Sequence, residues 1–243
     1  MNPRGKVDAQ PAYVLHTLPF RETSLLVEVF TRDYGRIALL ARGARRPRAA
    51  IRGLMMGFQP LEIGWSGKGD VLTLMKAEWQ GGQPLLGGEA LFCGYYLNEL
   101  LIHLLPREDA HPALFIHYAA TLLRLADSQP GREREAVLRG FEKALLQELG
   151  YGLSLRHDAD GRPVEPGIFY TYLIERGPQR VTSREAAAGP VLIGQSLLDL
   201  DADDLSDPRS LLESKLMMRT LITYYLAGKE LETRKILKEL QDP

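Results

Sequence analysis

Cysteine is nearly absent from this chain. Cys93 is the one such residue among 243, so neither an internal disulfide nor a multi-cysteine metal site can form. It reads as a small buried hydrophobe. Long apolar runs are also missing. The best candidate, residues 91–105, is broken by Asn98, Glu99 and His103 and reads as a buried helix. A membrane span needs roughly 18 uncharged apolar residues. No apolar run follows the charged start MNPRGKVDAQP, so no secretory signal is expected. Net charge is almost nil, with 30 Lys and Arg against 31 Asp and Glu. A charge-driven coat for nucleic acid is therefore excluded, and any such binding must be local. Apolar residues at 45 % suffice for a core, and a soluble protein of the cytoplasm is expected.

Enzymatic signatures are lacking as well. Gly67-Lys68 hints at a phosphate loop, but that motif needs Gly at 62 and Ser or Thr at 69, where Glu62 and Gly69 stand. A hairpin turn explains those glycines better. Asp199 to Asp204 place acids as a calcium loop would. Asp204 stands where its glycine belongs and Ser210 where its glutamate belongs, so a solvated acidic loop is expected. There is no G-x-S-x-G elbow. His16, His103, His111, His117 and His157 show no ligand spacing. No enzyme, cofactor or metal is expected.

Acid is absent from one further place. RIALLARGARRPRAAIR, residues 36–52, carries Arg36, Arg42, Arg45, Arg46, Arg48 and Arg52 with no Asp or Glu, and the next acid is Glu62. In a neutral protein such an excess is placed, not compositional. The guanidinium is a planar fork of fixed charge that matches phosphate geometry. A solvated loop is the plainer reading of a basic run, so the flanks decide.

Residues 11–79 read as strands. AYVLHTL, SLLVEVFT and RIALLAR precede the arginine stretch, and FQPLEIGW and DVLTLMKAEW follow it, with turns at Asp33-Tyr34-Gly35 and Ser66-Gly67-Lys68-Gly69. Five strands in so short a segment fit a small closed barrel, and an OB barrel is the form that also binds single strands. The arginine stretch then connects the third and fourth strands. Tyr13, Phe20, Phe30, Tyr34, Phe58 and Trp65 could offer faces to bases, although most of them belong to the core.

GGQPLLGG, residues 81–88, breaks the composition, and helical periodicity follows. Helices are expected over about 89–105, from Asp109 or Pro112 to SQPG at 128–131, and through Leu138, Phe141, Leu145 and Leu149 to an αL cap at Gly150. Residues 153–190 lose the period and hold one strand-like run, IFYTYLIE. A helix begins at Asp207-Pro208, and TRKILKEL closes the chain. The expected organisation is α+β: a barrel over 1–80, a linker at 81–88, and a helical domain over 89–243 with an insertion at about 153–190.

The run TLPFRETSLLVEVFTRDYGRIALLARGARRPRAAIRG, residues 17–53, resembles the amino-terminal domain of the RecO family of bacterial DNA repair proteins. GKGDVLTLMKAE continues the resemblance, and GYYLNELL, RGFEKALLQELGYG and LAGKELETRKIL resemble later segments, in order. The resemblance implies an OB-fold domain followed by a helical one. It implies binding of single- and double-stranded DNA, annealing of complementary strands, and work with RecR in loading RecA onto strands coated by single-stranded-DNA-binding protein. A nucleoid-associated cytoplasmic protein follows from it. Many family members carry a four-cysteine zinc site between the third helix and the last ones. This chain has no cysteine there. His157 and Asp160 keep a C-x-x-C-like spacing without a second pair, so a metal-free insertion held by Ile168, Tyr170, Tyr172 and Ile174 is expected.

The expected DNA contacts are Arg36, Arg42, Arg45, Arg46, Arg48 and Arg52, with Lys68 at the rim. The alternative is an adaptor whose basic loop meets an acidic protein. The resemblance also implies that the helical domain grips the C-terminal tail of single-stranded-DNA-binding protein, which needs an apolar groove rimmed by a cation. The expected receiver is the third helix, with Phe141 in its apolar stripe, Arg139 and Lys143 beside it, and Arg124 and Arg134 near adjoining helix ends. Arg139 then contributes tail affinity and little stability, unless it merely pairs with Glu135 four residues away.

Overall fold

The computed structural model describes residues 3–182 and 189–241, with side chains described as far as residue 236. It divides into two compact units, Met1–Ala126 with Leu231–Pro243, and Asp127–Glu230.

In the first unit, β1 (Gly5–Phe20), β2 (Ser24–Thr31), β3 (Gly35–Ala41), a short helix α1 (Ile51–Leu54), β4 (Leu61–Gly67) and β5 (Val71–Trp79) follow one another. The strands close into a barrel in the order β1-β2-β3-β5-β4. All pairings are antiparallel except β3 with β5. Period-2 alternation sends Val27, Val29, Ile37, Leu39, Ile63, Trp65, Leu72 and Leu74 into one core. β1 is longer than AYVLHTL suggests: Lys6, Val7, Asp8, Ala9 and Gln10 do alternate, but Gly5, Asp8 and Pro11 are poor strand formers and mask the pattern. It reaches both neighbours through irregularities between Val7 and Gln10 and between Val14 and His16, which bend it around the barrel.

The turn into β3 requires glycine. Gly35 has φ +67°, and a Cβ there would lie 1.9 Å from the Asp109 carbonyl oxygen.

Helices α2 (Gly88–Leu104) and α3 (Pro112–Asp127) belong to the same unit as the barrel, so the unit does not end at the Gly- and Pro-rich linker. Aromatic packing is the reason. Tyr13 and Phe30, on the outside of β1 and β2, meet Phe115 and Tyr118 of α3 with ring centroids 5.1–6.2 Å apart. Asn98 of α2 donates to the Leu15 carbonyl at 2.8 Å and accepts from the Tyr118 hydroxyl at 2.5 Å. Burial pushes the Tyr118 phenol well above its ordinary pKa, which keeps it a donor.

The second unit holds α4 (Arg132–Glu148), β6 (Phe169–Leu173), β7 (Gly177–Arg180), β8 (Val191–Ile193), α5 (Gly194–Asp201) and α6 (Pro208–Tyr225). Two signals behave as expected. Gly150 sits past α4 at φ +76°, and the Asp207 carboxylate caps α6 by accepting from the Arg209 and Ser210 amides at 2.6 and 3.2 Å. The expected strand-like run becomes the centre of a three-stranded sheet, β7-β6-β8, with Tyr170 fully buried. Helix α5 and the two flanking strands are too short to show a period. Residues 183–188 of the insertion lie outside the described residues.

The turn before this sheet is tied by Asp158. Its Oδ1 accepts from the Asp160 and Arg162 amides at 3.0 and 2.9 Å. Its Oδ2 lies 3.2 Å from Arg180 Nε, while Arg180 Nη2 reaches Glu165 at 2.6 Å. Burial pushes the Asp158 carboxyl up, but those amides and the guanidinium outweigh it and hold the group below the usual range. His157 takes part in this turn through a backbone bridge to Pro163, and Asp160 lies 3.6 Å from Arg162. Among the described residues no group of three or more His, Cys, Asp or Glu is placed to hold a metal ion.

The last helix, α7 (Glu232–Gln241), returns to the first unit. The Glu99 carboxylate of α2 accepts from the Glu232 amide at 2.6 Å, the Thr233 amide at 3.1 Å and the Thr233 hydroxyl at 2.6 Å. An acid from another helix thus serves as the cap of α7, where the helix dipole favours it. No helix among the described residues is long and apolar enough to cross a membrane.

Candidate nucleic-acid interface

The connection from β3 to β4 is built in two layers. Ala44, Ile51, Leu54 and Met55 turn inward and pack on the barrel core. Arg42, Arg45, Arg46, Arg48 and Arg52 are exposed. Hydrogen bonds fix the path: the Arg45 amide donates to the Thr23 carbonyl at 2.8 Å, Arg46 to Gly43 at 3.0 Å, and Arg52 to Ala49 at 3.0 Å. Gly43 and Arg48 take left-handed backbone at φ +70° and +63°. The apolar residues therefore anchor the segment, and the arginines are presented by it. None of these five forms an ion pair among the described residues. Arg45 spends one donor on the Arg21 carbonyl, at 3.2 Å.

Arg36 is a different case. It stands on β3, its side chain is 13 % exposed, and each of its three guanidinium nitrogens has a partner. It meets Glu28 at 3.1 Å and donates twice to the Leu105 carbonyl, at 3.2 and 3.0 Å. Arg107 also pairs with Glu28. The run 36–52 has no acid of its own, but the neighbouring strand supplies one. Arg36 is a structural arginine and leaves the expected contact set.

Lys68 is exposed on the β4–β5 hairpin but stands apart from the arginines. Val71 pairs with Ala38, so this hairpin lies toward the Gly35 end of β3, whereas the arginine connection leaves from the Ala41 end. At about 3.3 Å per residue the two are roughly 20 Å apart.

Of the six aromatics that could meet bases, Tyr13, Phe30, Phe58 and Trp65 are buried, and Tyr34 packs edge-on against Trp65 at 5.2 Å. Phe20 is 40 % exposed. Arg21, exposed in the adjoining turn, carries no sequence signal because it stands alone beside Glu22.

The residues expected to receive a partner's tail do not form an exposed rim. Arg134, Arg139, Phe141 and Lys143 are all buried on α4, and Arg124 is exposed on α3 of the other unit. Arg139 pairs with Glu142, itself 1 % exposed, and Glu135 pairs instead with Lys215 at 2.7 Å. Arg134 donates to the Ser128 carbonyl at 2.7 Å. Lys143 donates to the Leu200 and Asp201 carbonyls, both at 3.0 Å, and meets Asp203 at 2.6 Å. It thereby closes the C-terminal end of α5, where a cation is favoured. Arg134, Arg139 and Lys143 thus have their partners inside the second unit.

A closed five-stranded barrel that presents an acid-free arginine connection, followed by helices, defines a small-barrel protein with a basic face suited to a polyanion. Residues 7–82 match the model described as "Recombination protein O N terminal" and residues 86–235 the one described as "Recombination protein O C terminal". The DNA repair protein RecO of Dechloromonas aromatica is 71 % identical over 242 residues, covering all of both chains. Those of Aromatoleum aromaticum and an Azoarcus species are each 54 % identical, over 100 % and 98 % of both chains respectively. The chain belongs to the RecO family of DNA repair proteins.

Proposed function

We propose that this protein is a non-enzymatic recombination mediator that binds single- and double-stranded DNA through Arg42, Arg45, Arg46, Arg48 and Arg52. The observation that carries the reading is their presentation: five exposed guanidinium groups on a segment anchored by its own apolar residues. Phosphate contacts position a strand without reading its sequence, which suits a repair protein that accepts any strand. Annealing needs the charge of two polyanions neutralised near one another and no catalytic group. Family membership supports partnership with RecR, RecA loading, recognition of the tail of single-stranded-DNA-binding protein, and a place in the bacterial cytoplasm. The burial of the α4 cations leaves the tail's docking residues outside this proposal.

The test replaces Arg42, Arg45, Arg46 and Arg48 together by Ala and follows DNA affinity against salt. Binding weakens at every sequence, and the log–log slope falls by about 0.7–0.9 per lost phosphate contact. A folded variant with parental affinity and slope refutes the reading and favours an adaptor for an acidic protein. Annealing with and without single-stranded-DNA-binding protein then tests the mediator role.

A further inference from the structure

The segment that carries the arginines rests on two different surfaces. One is the barrel: Ile51, Leu54 and Met55 pack on its core, and Leu61 at the start of β4 lies inside it. The other is α2. Phe58, midway between Met55 and Leu61, is 4 % exposed and yet stands outside the barrel core. Its ring meets Tyr95 of α2 edge-on, with centroids 5.1 Å apart. The helix makes room for the ring. A Cβ at Gly94 would lie 2.8 and 3.0 Å from ring atoms of Phe58 and 2.7 Å from the Leu86 side chain. Gly57 runs between the barrel wall and α2. A Cβ there would lie 3.5 Å from the Val14 carbonyl oxygen and 3.9 Å from the Asn98 side-chain nitrogen.

The backbone is bent to seat this ring. Phe58 has φ +69°, a conformation that a bulky side chain rarely adopts. Glycine or asparagine would turn the chain there at little cost. Such strain persists only where the surrounding contacts over-determine it. What phenylalanine adds to the turn is its hold on α2. Upstream, the Arg45 amide is tied to the Thr23 carbonyl at 2.8 Å. Arg46, Arg48 and Arg52 lie between these two fixed points.

We infer that Phe58 is a positioning residue for the DNA contact: it pins the downstream end of the arginine connection to α2, so that Arg46, Arg48 and Arg52 are held in one arrangement before DNA arrives. The inference rests on the DNA-binding reading above and deepens it. Phe58 is buried and touches no phosphate. It acts by sparing the complex the entropy of ordering the connection.

The experiment uses the full chain, with Phe58→Ala, Phe58→Gly and Gly94→Ala beside the four-arginine variant. Each is titrated with a labelled oligothymidine and a duplex of equal length over a range of salt, at a temperature where circular dichroism shows it folded. Both Phe58 variants are expected to bind both DNAs roughly 5- to 30-fold more weakly, as each residue of backbone left to be ordered on binding entails. The salt slope stays parental, because the arginines are intact. Phe58→Gly is expected to melt above Phe58→Ala, since glycine is unstrained at positive φ, yet to bind no more tightly. A residue that merely fills space would move affinity in step with stability. Gly94→Ala displaces the ring from the α2 side, leaves the connection's own sequence intact, and weakens binding in the same direction. It decides by the same readouts where neither Phe58 variant folds.

Hydrogen exchange of the free chain reads the ordering without DNA. The Arg46, Ala49 and Arg52 amides donate within the connection, and they are expected to exchange faster in Phe58→Gly and Gly94→Ala while the barrel strands stay protected. Parental affinity or unchanged exchange in the folded variants overturns the positioning role and keeps the DNA reading. Affinity that recovers with melting temperature in Phe58→Gly also overturns it, and assigns the ring to packing alone. A flattened salt slope means that phosphate contacts are lost outright and overturns the ordering role as well. Parental binding by the four-arginine variant removes the DNA reading itself, and the positioning role with it.

Discussion

Arg36 and Glu28 face each other diagonally across β2 and β3, with Nη1 3.1 Å from Oε2 and both side chains 13 % exposed. The pair takes one arginine out of the basic run and gives it to the fold. Arg36→Ala is expected to cost about 1–3 kcal/mol in urea unfolding, because two hydrogen bonds to Leu105 and one to Glu28 are lost. The salt slope of DNA binding stays at its parental value. A flattened slope at parental stability would return Arg36 to the DNA interface.

Gly35 admits no side chain. Gly35→Ala places a Cβ against the Asp109 carbonyl and leaves alanine in left-handed backbone. Destabilisation of roughly 2–5 kcal/mol is expected from the two effects combined. Gly69→Ala, where no atom lies within 4 Å of the added Cβ and φ is ordinary, is the control and stays close to the parent.

Breaking the buried pair on α4 is the sharper test of the second unit. Arg139→Ala leaves Glu142, 1 % exposed, without this guanidinium, and a loss of about 3–5 kcal/mol is expected. Replacing both by apolar residues of similar volume, Arg139→Met with Glu142→Leu, recovers most of it. Chemical denaturation of the two variants checks this. A single variant as stable as the parent would show that Arg139 serves a surface role.

Asp158 gives the second unit an acid limb. Its folded pKa lies below the ordinary value, so its contribution to stability is present above the unfolded pKa of about 3.9 and is lost as pH falls through the folded one. Asp158→Asn is expected to lower stability at neutral pH and to shrink the difference from the parent as pH drops below about 4. Melting temperature followed from pH 7 downward checks the sign. A parent–variant gap that grows toward acid would contradict it.

The barrel was legible because Val27, Val29, Ile37 and Leu39 alternate, and the place of the arginine stretch followed from counting strands. What stayed hidden depends on residues far apart in the chain. Glu28 precedes Arg36 by a turn and meets it only through pairing of β2 with β3. On α4 the charges read as a solvent face, yet Lys143 finds its acceptors at Leu200 and Asp201. No local pattern announces that α5 will cover it, because α5 is only eight residues long. Phe20 looked like the other aromatics of the barrel. Its exposure is set by where α3 stops covering the outer face.

The return of α7 gives the barrel unit an unusual order of synthesis. Its body is made first, but its closing helix lies beyond residue 230. At about 5–20 residues per second, the ribosome spends roughly 5–20 s on residues 127–230 while Glu99 waits in water for the amides of Glu232 and Thr233. The surface completed last therefore lies on the part of the molecule that folds first. Any nascent chain stalled in the second unit exposes the α2 side that α7 would shield.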